Sequence, residues 1–125
     1  MKKTINTPNA PAPIGPYSQA VLTNGFLFIS GQIAIEPNTG ELTLKDIKSE
    51  TKQVMENIKA ILNEAGMDFN NAVKCSIFIS DMDNFGQINE VYGSYFTENF
   101  PARETVEVSR LPKDVNVEIS MIAGM

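Results

Sequence analysis

Histidine is absent from the chain, and cysteine occurs once, at Cys75. Without histidine there is no Ser-His-Asp or Cys-His nucleophile, no imidazole-ligated zinc, and no histidine acid-base pair for cleaving RNA. A single cysteine rules out an intramolecular disulfide and fits a reducing compartment. Cys75 lies in an apolar run with no activating base beside it, so it reads as a buried, inert thiol. No run approaches the roughly 20 apolar residues of a membrane helix, and Lys2 and Lys3 are not followed by the apolar segment of a secretion signal, which predicts a cytoplasmic location. Positive charge is scarce too: ten Lys and Arg against fifteen Asp and Glu give a formal net charge of -5. That field repels phosphate backbones and the cations do not cluster, so neither nucleic acid nor membrane is an expected partner.

What is present fits one folded domain spanning residues 1–125, since 42% hydrophobic and 20% charged residues suit a globular chain. A chain of this size buries about two-thirds of its unfolded surface, enough for a core. Pro8, Pro11, Pro13 and Pro16 make the N-terminal stretch an extended arm rather than a helix or central strand. Ser18 to Leu22 and Phe26 to Ser30 flank Asn24-Gly25 and predict a β-hairpin. Residues 33 to 44, with Pro37, Asn38 and Gly40, read as a loop. Ile47, Val54, Ile58, Ile61 and Ala65 recur at helical spacing and Gly66 supplies the stop, predicting a helix over 46–65. Val73, Cys75, Ile77 and Ile79 alternate along a strand over 72–80. A second helix is predicted over 83–99 from Phe85, Ile88, Tyr92, Tyr95 and Phe96, closed by Pro101. Two further strand-like runs, 104–109 and 115–121, complete the order β-β-α-β-α-β-β. This is an α+β layer, a mixed sheet with both helices on one face. The other face is left bare and is expected to pack against further copies of the chain.

The last two runs, joined through Pro112, Lys113 and Asp114, read as a hairpin or bent pair. Period two places Arg103, Thr105 and Glu107 on one side of the first, and Asn116, Glu118 and Ser120 opposite the apolar side of the second. Paired antiparallel, the runs would bring Glu118 near Arg103. A solvated cross-strand ion pair is the plainer interpretation of that arrangement, and a catalytic pair the sharper one.

Pro-Ala-Arg at 101–103, Val106, Leu111-Pro112 and Val117-Glu118-Ile119 together resemble the signature of the Rid family, the reactive-intermediate deaminases. GPYSQAV at 15–21, FISGQ at 28–32 and MDNFGQINEVYGSYF at 82–96 resemble further family blocks in the same order, so the resemblance covers nearly the whole chain. It implies a chorismate-mutase-like, six-stranded domain that assembles as a homotrimer with a pocket in each cleft between subunits. It also implies the activity of a 2-iminobutanoate/2-iminopropanoate deaminase, which clears reactive intermediates of amino-acid metabolism. Such an enzyme hydrolyses small 2-enamino and 2-imino acids, 2-aminoacrylate among them, to 2-keto acids and ammonia without a metal or organic cofactor. On this resemblance Arg103 clamps the substrate carboxylate with its planar fork, and Glu118 manages water and protons. Tyr17, Ser30, Gly31, Asn89 and Thr105 are the substrate contacts that it implies. Glu104 departs from the pattern, which has a small residue after the arginine; alternation turns it to the face opposite Arg103. Alternative readings on the same fold are a non-catalytic small-ligand binder or chaperone-like homologue, a translation-inhibiting ribonuclease, and a chorismate-mutase-type enzyme.

Overall fold

The computed structural model describes residues 1–125. Its element order is β1 (Lys3–Ile5), β2 (Ala20–Thr23), β3 (Phe26–Gln32), α1 (Ile47–Glu64), β4 (Ala72–Ile79), α2 (Phe85–Gly93), β5 (Ala102–Glu107) and β6 (Val117–Gly124). The six strands form one mixed sheet in the order β1-β2-β3-β6-β4-β5. Asn24 and Gly25 take φ of 51° and 78°, the left-handed pair that a tight hairpin turn requires, and β2 and β3 pair antiparallel across it. The arm contributes the sixth strand, because Lys3 to Ile5 add antiparallel to β2 at the sheet edge.

Helix α1 is capped by Asp46, whose side chain accepts a hydrogen bond from the Ser49 N–H at 2.7 Å. It stops at Gly66, whose φ is 75°. Between these points Val54, Met55, Ile58, Ile61 and Leu62 are fully buried against the sheet. Strand β6 alternates without interruption, with Val117, Ile119, Met121 and Ala123 facing the helices and Glu118, Ser120 and Ile122 facing away. Cys75, Ile77 and Ile79 of β4 join the same core, and the Cys75 thiol is completely buried.

Three expectations need correction. The final two strands do not form a hairpin: β5 pairs in parallel with β4, while β6 runs antiparallel between β3 and β4. The reason is connectivity, since β4-α2-β5 is a crossover unit that places two parallel strands side by side. The second helix ends at Gly93, short of Asn99. Its aromatic stripe continues regardless, with Tyr95 and Phe96 held by short turns to Tyr92 and Gly93 and packed with Phe69 and Tyr92. Val73 is exposed rather than aligned with Cys75, because the β4–β6 register shifts between Ala72 and Lys74.

The face away from the helices carries exposed Phe26, Phe28, Val73 and Val106. Ile58 lies wholly within the core, so Ile58→Ala is expected to cost about 2–5 kcal/mol of folding stability, measured by denaturant unfolding.

Candidate active site

Between the proline-rich arm and the sheet lies a cavity of about 440 Å³, lined among others by Tyr17, Ser30, Gly31, Ile33, Pro112 and Glu118. It exists because β3 parts from β6. The two strands pair from Phe26–Gly124 to Ile29–Met121, the register then shifts, and pairing resumes only at Gln32–Ile119. Ser30 and Gly31 occupy that break. Ser30 Oγ donates to the Ser18 carbonyl at 2.6 Å, which ties β3 to the arm. Gly31 leaves room for the Glu118 carboxylate where it stands, because a Cβ there would overlap it and push that side chain aside. Tyr17 closes the rim, its hydroxyl accepting from the Ile14 N–H at 3.2 Å.

The arm is held chiefly by a side chain outside the candidates that the sequence offers. Gln19, buried, accepts from Thr7 N–H at 2.8 Å and donates to the carbonyls of Thr7 and Pro11, each at 3.0 Å. Its position inside GPYSQAV is the only sequence signal it carries. Ile33 and Ile35, from the stretch that reads as a plain loop, and Pro112, from the turn before β6, give the cavity its apolar wall.

Burial raises the Glu118 carboxyl above the ordinary glutamate range. No ion pair offsets this.

Arg103, Asn89 and Thr105 gather on the other side of the sheet, under α2. Arg103 Nη1 donates to Asn89 Oδ1 at 2.8 Å. The guanidinium carbon lies 5.1 Å from the Tyr92 ring centre and 5.7 Å from that of Phe85, so two aromatic faces flank the cation. Arg103 forms no ion pair, with Glu107 or any other carboxylate. Thr105 faces the same way, its Oγ1 buried without a hydrogen-bond partner. The Tyr92 hydroxyl is also buried beside Cys75, with no hydrogen bond of good geometry, and burial pushes its pKa up. Periodicity places Phe85 and Tyr92 in a packing stripe; the fold also turns both rings onto the Arg103 cation. Glu104 points to the opposite face, as alternation requires, where it pairs with Lys74 at 2.9 Å and accepts from Ser76. Those contacts hold its carboxyl below the usual range.

Arg103 and Glu118 therefore do not share a volume within one chain. Arg103 is level with Cys75 and Glu118 with Phe78, on strands either side of β4. That separation is about 9.5 Å across the sheet and about 10 Å along it, with the side chains on opposite faces.

The family model described as Endoribonuclease L-PSP matches residues 7–125. A Rid-family protein of Yersinia pestis has the same architecture, with a TM-score of 0.97 and 52% identity over 100% of both chains. The chain belongs to the Rid family. Among other Rid-type relatives, a RutC family protein of Pyrococcus horikoshii is 58% identical over 98% of each chain. The mouse 2-iminobutanoate/2-iminopropanoate deaminase is 45% identical, over 98% of this chain and 91% of its own. The structure of Escherichia coli TdcF with bound serine aligns with a TM-score of 0.94 and 42% identity over 98% of each chain. The Rid family thus includes an imine deaminase that matches this chain nearly end to end.

Because burial raises the Glu118 pKa, the folded chain keeps that proton to higher pH than the unfolded chain does. This favours folding below the unfolded value, and the contribution is lost as pH rises through the folded one. Glu118→Gln is therefore expected to melt above the native protein at neutral pH, with the gap closing below about pH 4. Thermal unfolding across that range checks this, and a less stable Gln variant at neutral pH would contradict it.

Proposed function

We propose that the protein hydrolyses small 2-enamino and 2-imino acids to 2-keto acids and ammonia, in sites that two subunits of a homotrimer complete together. The observation that carries this is the split constellation: a raised-pKa carboxylate in a cavity on one side of the sheet, and a guanidinium with no carboxylate partner on the other. Each is half of what the reaction needs. The bare apolar sheet face supplies the surface for assembly. The serine bound to TdcF, a small amino acid, supports a site for a small carboxylate-bearing ligand in a relative of the same fold.

In this reading Arg103, steadied by Asn89 and the two rings, presents its remaining N–H donors to the substrate carboxylate as a bidentate fork. The imine nitrogen is protonated, which makes C2 electrophilic. Glu118 accepts a proton from water as the oxygen adds to C2, then returns it to nitrogen. The C2–N bond breaks with its electron pair, ammonia leaves, and loss of the hydroxyl proton gives the keto acid. A carboxyl whose pKa is raised by burial is the better base for the first half of that transfer and gives the proton back in the second. Tyr17, Ser30, Gly31 and Thr105 shape the space around the ligand. The family description speaks of an endoribonuclease, but a chain with no histidine and a net charge of -5 is poorly suited to bind and cleave RNA.

The test is to couple the purified protein to a threonine dehydratase and follow 2-ketobutyrate formation against the spontaneous rate. Wild type is expected to accelerate it. Arg103→Ala should lose about 10- to 100-fold in kcat/KM, the equivalent of a charge-assisted bond of about 1.5–3 kcal/mol, and Arg103→Lys should recover little of it. No acceleration by well-folded wild type would favour the small-ligand binder instead. Co-refolding equal amounts of Arg103→Ala and Glu118→Gln chains should restore activity to about a quarter of the sites if partners complete each site, and to none if one chain supplies both groups.

A further inference from the structure

Glu50 is the one carboxylate in the chain that is completely buried, and it makes no ion pair. A buried charge of this kind is costly unless hydrogen bonds satisfy it. Here they come from a single short segment. The backbone N–H groups of Asn116 and Val117 both donate to Glu50 Oε2, at 2.7 and 3.2 Å, and Asn116 Nδ2 donates to Oε1 at 2.8 Å. The Asn116 carbonyl in turn accepts from Ser80 N–H at 3.1 Å, just past the end of β4. The first turn of α1 and the end of β4 thus fasten the point where β6 begins, one residue before Glu118.

The sheet lacks something at this point. The last β3–β6 pair is Gln32–Ile119, so Val117 lies beyond the ladder on that side. β3 ends at Gln32, so beyond that pair the start of β6 has no neighbouring strand on that side. A backbone N–H left bare in the interior is itself costly. Glu50 supplies the acceptor that β3 does not.

We propose that Glu50 is a positioning residue: its carboxylate replaces the missing strand at the entry to β6 and so fixes Glu118 in the opened cavity. The inference rests on the deaminase reading for its consequence in catalysis, but not for its consequence in structure. Both backbone bonds fall on one oxygen, so an amide can keep them, and its NH2 can donate to Asn116 once that side chain turns its oxygen round. A shorter carboxylate keeps the charge and loses the reach. Charge and geometry can therefore be separated.

The experiment compares Glu50→Gln and Glu50→Asp with wild type by two readouts on folded, assembled protein. The first is the carbon-13 titration of the Glu118 carboxyl. Wild type and Glu50→Gln are expected to share its raised midpoint, while in Glu50→Asp the midpoint falls toward the ordinary glutamate value as the side chain gains access to water. The second is imine hydrolysis, in which Glu50→Asp is expected to lose about 10- to 100-fold in kcat with KM within about twofold, and Glu50→Gln to keep most of the rate. An unchanged Glu118 midpoint in folded Glu50→Asp overturns the proposal whether or not the protein is a deaminase. So does a Glu50→Gln protein as perturbed as Glu50→Asp. Absence of hydrolysis in wild type, with the midpoint shift intact, counts against the deaminase reading alone. If Glu50→Asp does not fold, Asn116→Ala, which removes one of the three bonds, is expected to give the same shift in smaller degree, and no shift there overturns the proposal.

Discussion

The fold depends on the insertion of β6 between β3 and β4. That strand carries ladders on both sides and alternates fully buried Val117, Ile119 and Ala123 with half-exposed residues, so its removal would leave two sheet halves with open edges. Such pairing joins segments distant in sequence and carries the loop-closure cost of non-local contacts. The return is a core held from three directions, with α1 packed on β3 and β6 and the Cys75–Ile79 row of β4 beside them. The same strand delivers Glu118 to the opposite face. Core and candidate site are thus two faces of one eight-residue segment.

Local features were legible from the sequence because local rules govern them. Asn24-Gly25, the Gly66 stop and the period-two alternation of β6 depend on residues a few positions apart. Pairing partners do not. Parallel addition of β5 to β4 and insertion of β6 elsewhere leave the same alternation as a hairpin would, so periodicity correctly gave the facing of Arg103, Thr105 and Glu104 while adjacency in sequence suggested the wrong neighbour. The register shift that exposes Val73 likewise has no local signature. At the candidate site, the resemblance names Tyr17, Ser30, Gly31 and Glu118 but not the residues that hold them, Gln19 included although it sits inside a matched block. Glu50 sits in an ordinary amphipathic helix and Gln19 in a strand entry; only the fold shows what each one reaches.

Charge is distributed in a way that composition alone conceals. The chain is acidic overall, yet Arg103 stands without a carboxylate partner, while the exposed cations Lys48, Lys74 and Arg110 are paired with Glu90, Glu104 and Asp114. The partly buried acid, Glu118, is equally without a counter-ion. Leaving charges that are partly buried, as Arg103 and Glu118 are, without a counter-ion costs stability, and such groups cluster at functional sites. Glu104, the departure from the family pattern, is spent on Lys74 and Ser76 and leaves Arg103 untouched.

The Gln19 amide has a further consequence for the cavity. It is the buried side chain that binds the arm at Thr7, Ala10 and Pro11, and that arm carries Pro11, Ala12, Ile14 and Tyr17 of the cavity wall. Apart from the three-residue edge strand β1, the arm shares no ladder with the sheet. The arm is held as well by the Ser30 Oγ bond to the Ser18 carbonyl and by the burial of Ile5, Thr7 and Ala10. One wall of the cavity is therefore set by side-chain bonds and burial rather than by a ladder, so its shape on that side depends on a single buried amide as much as on the sheet.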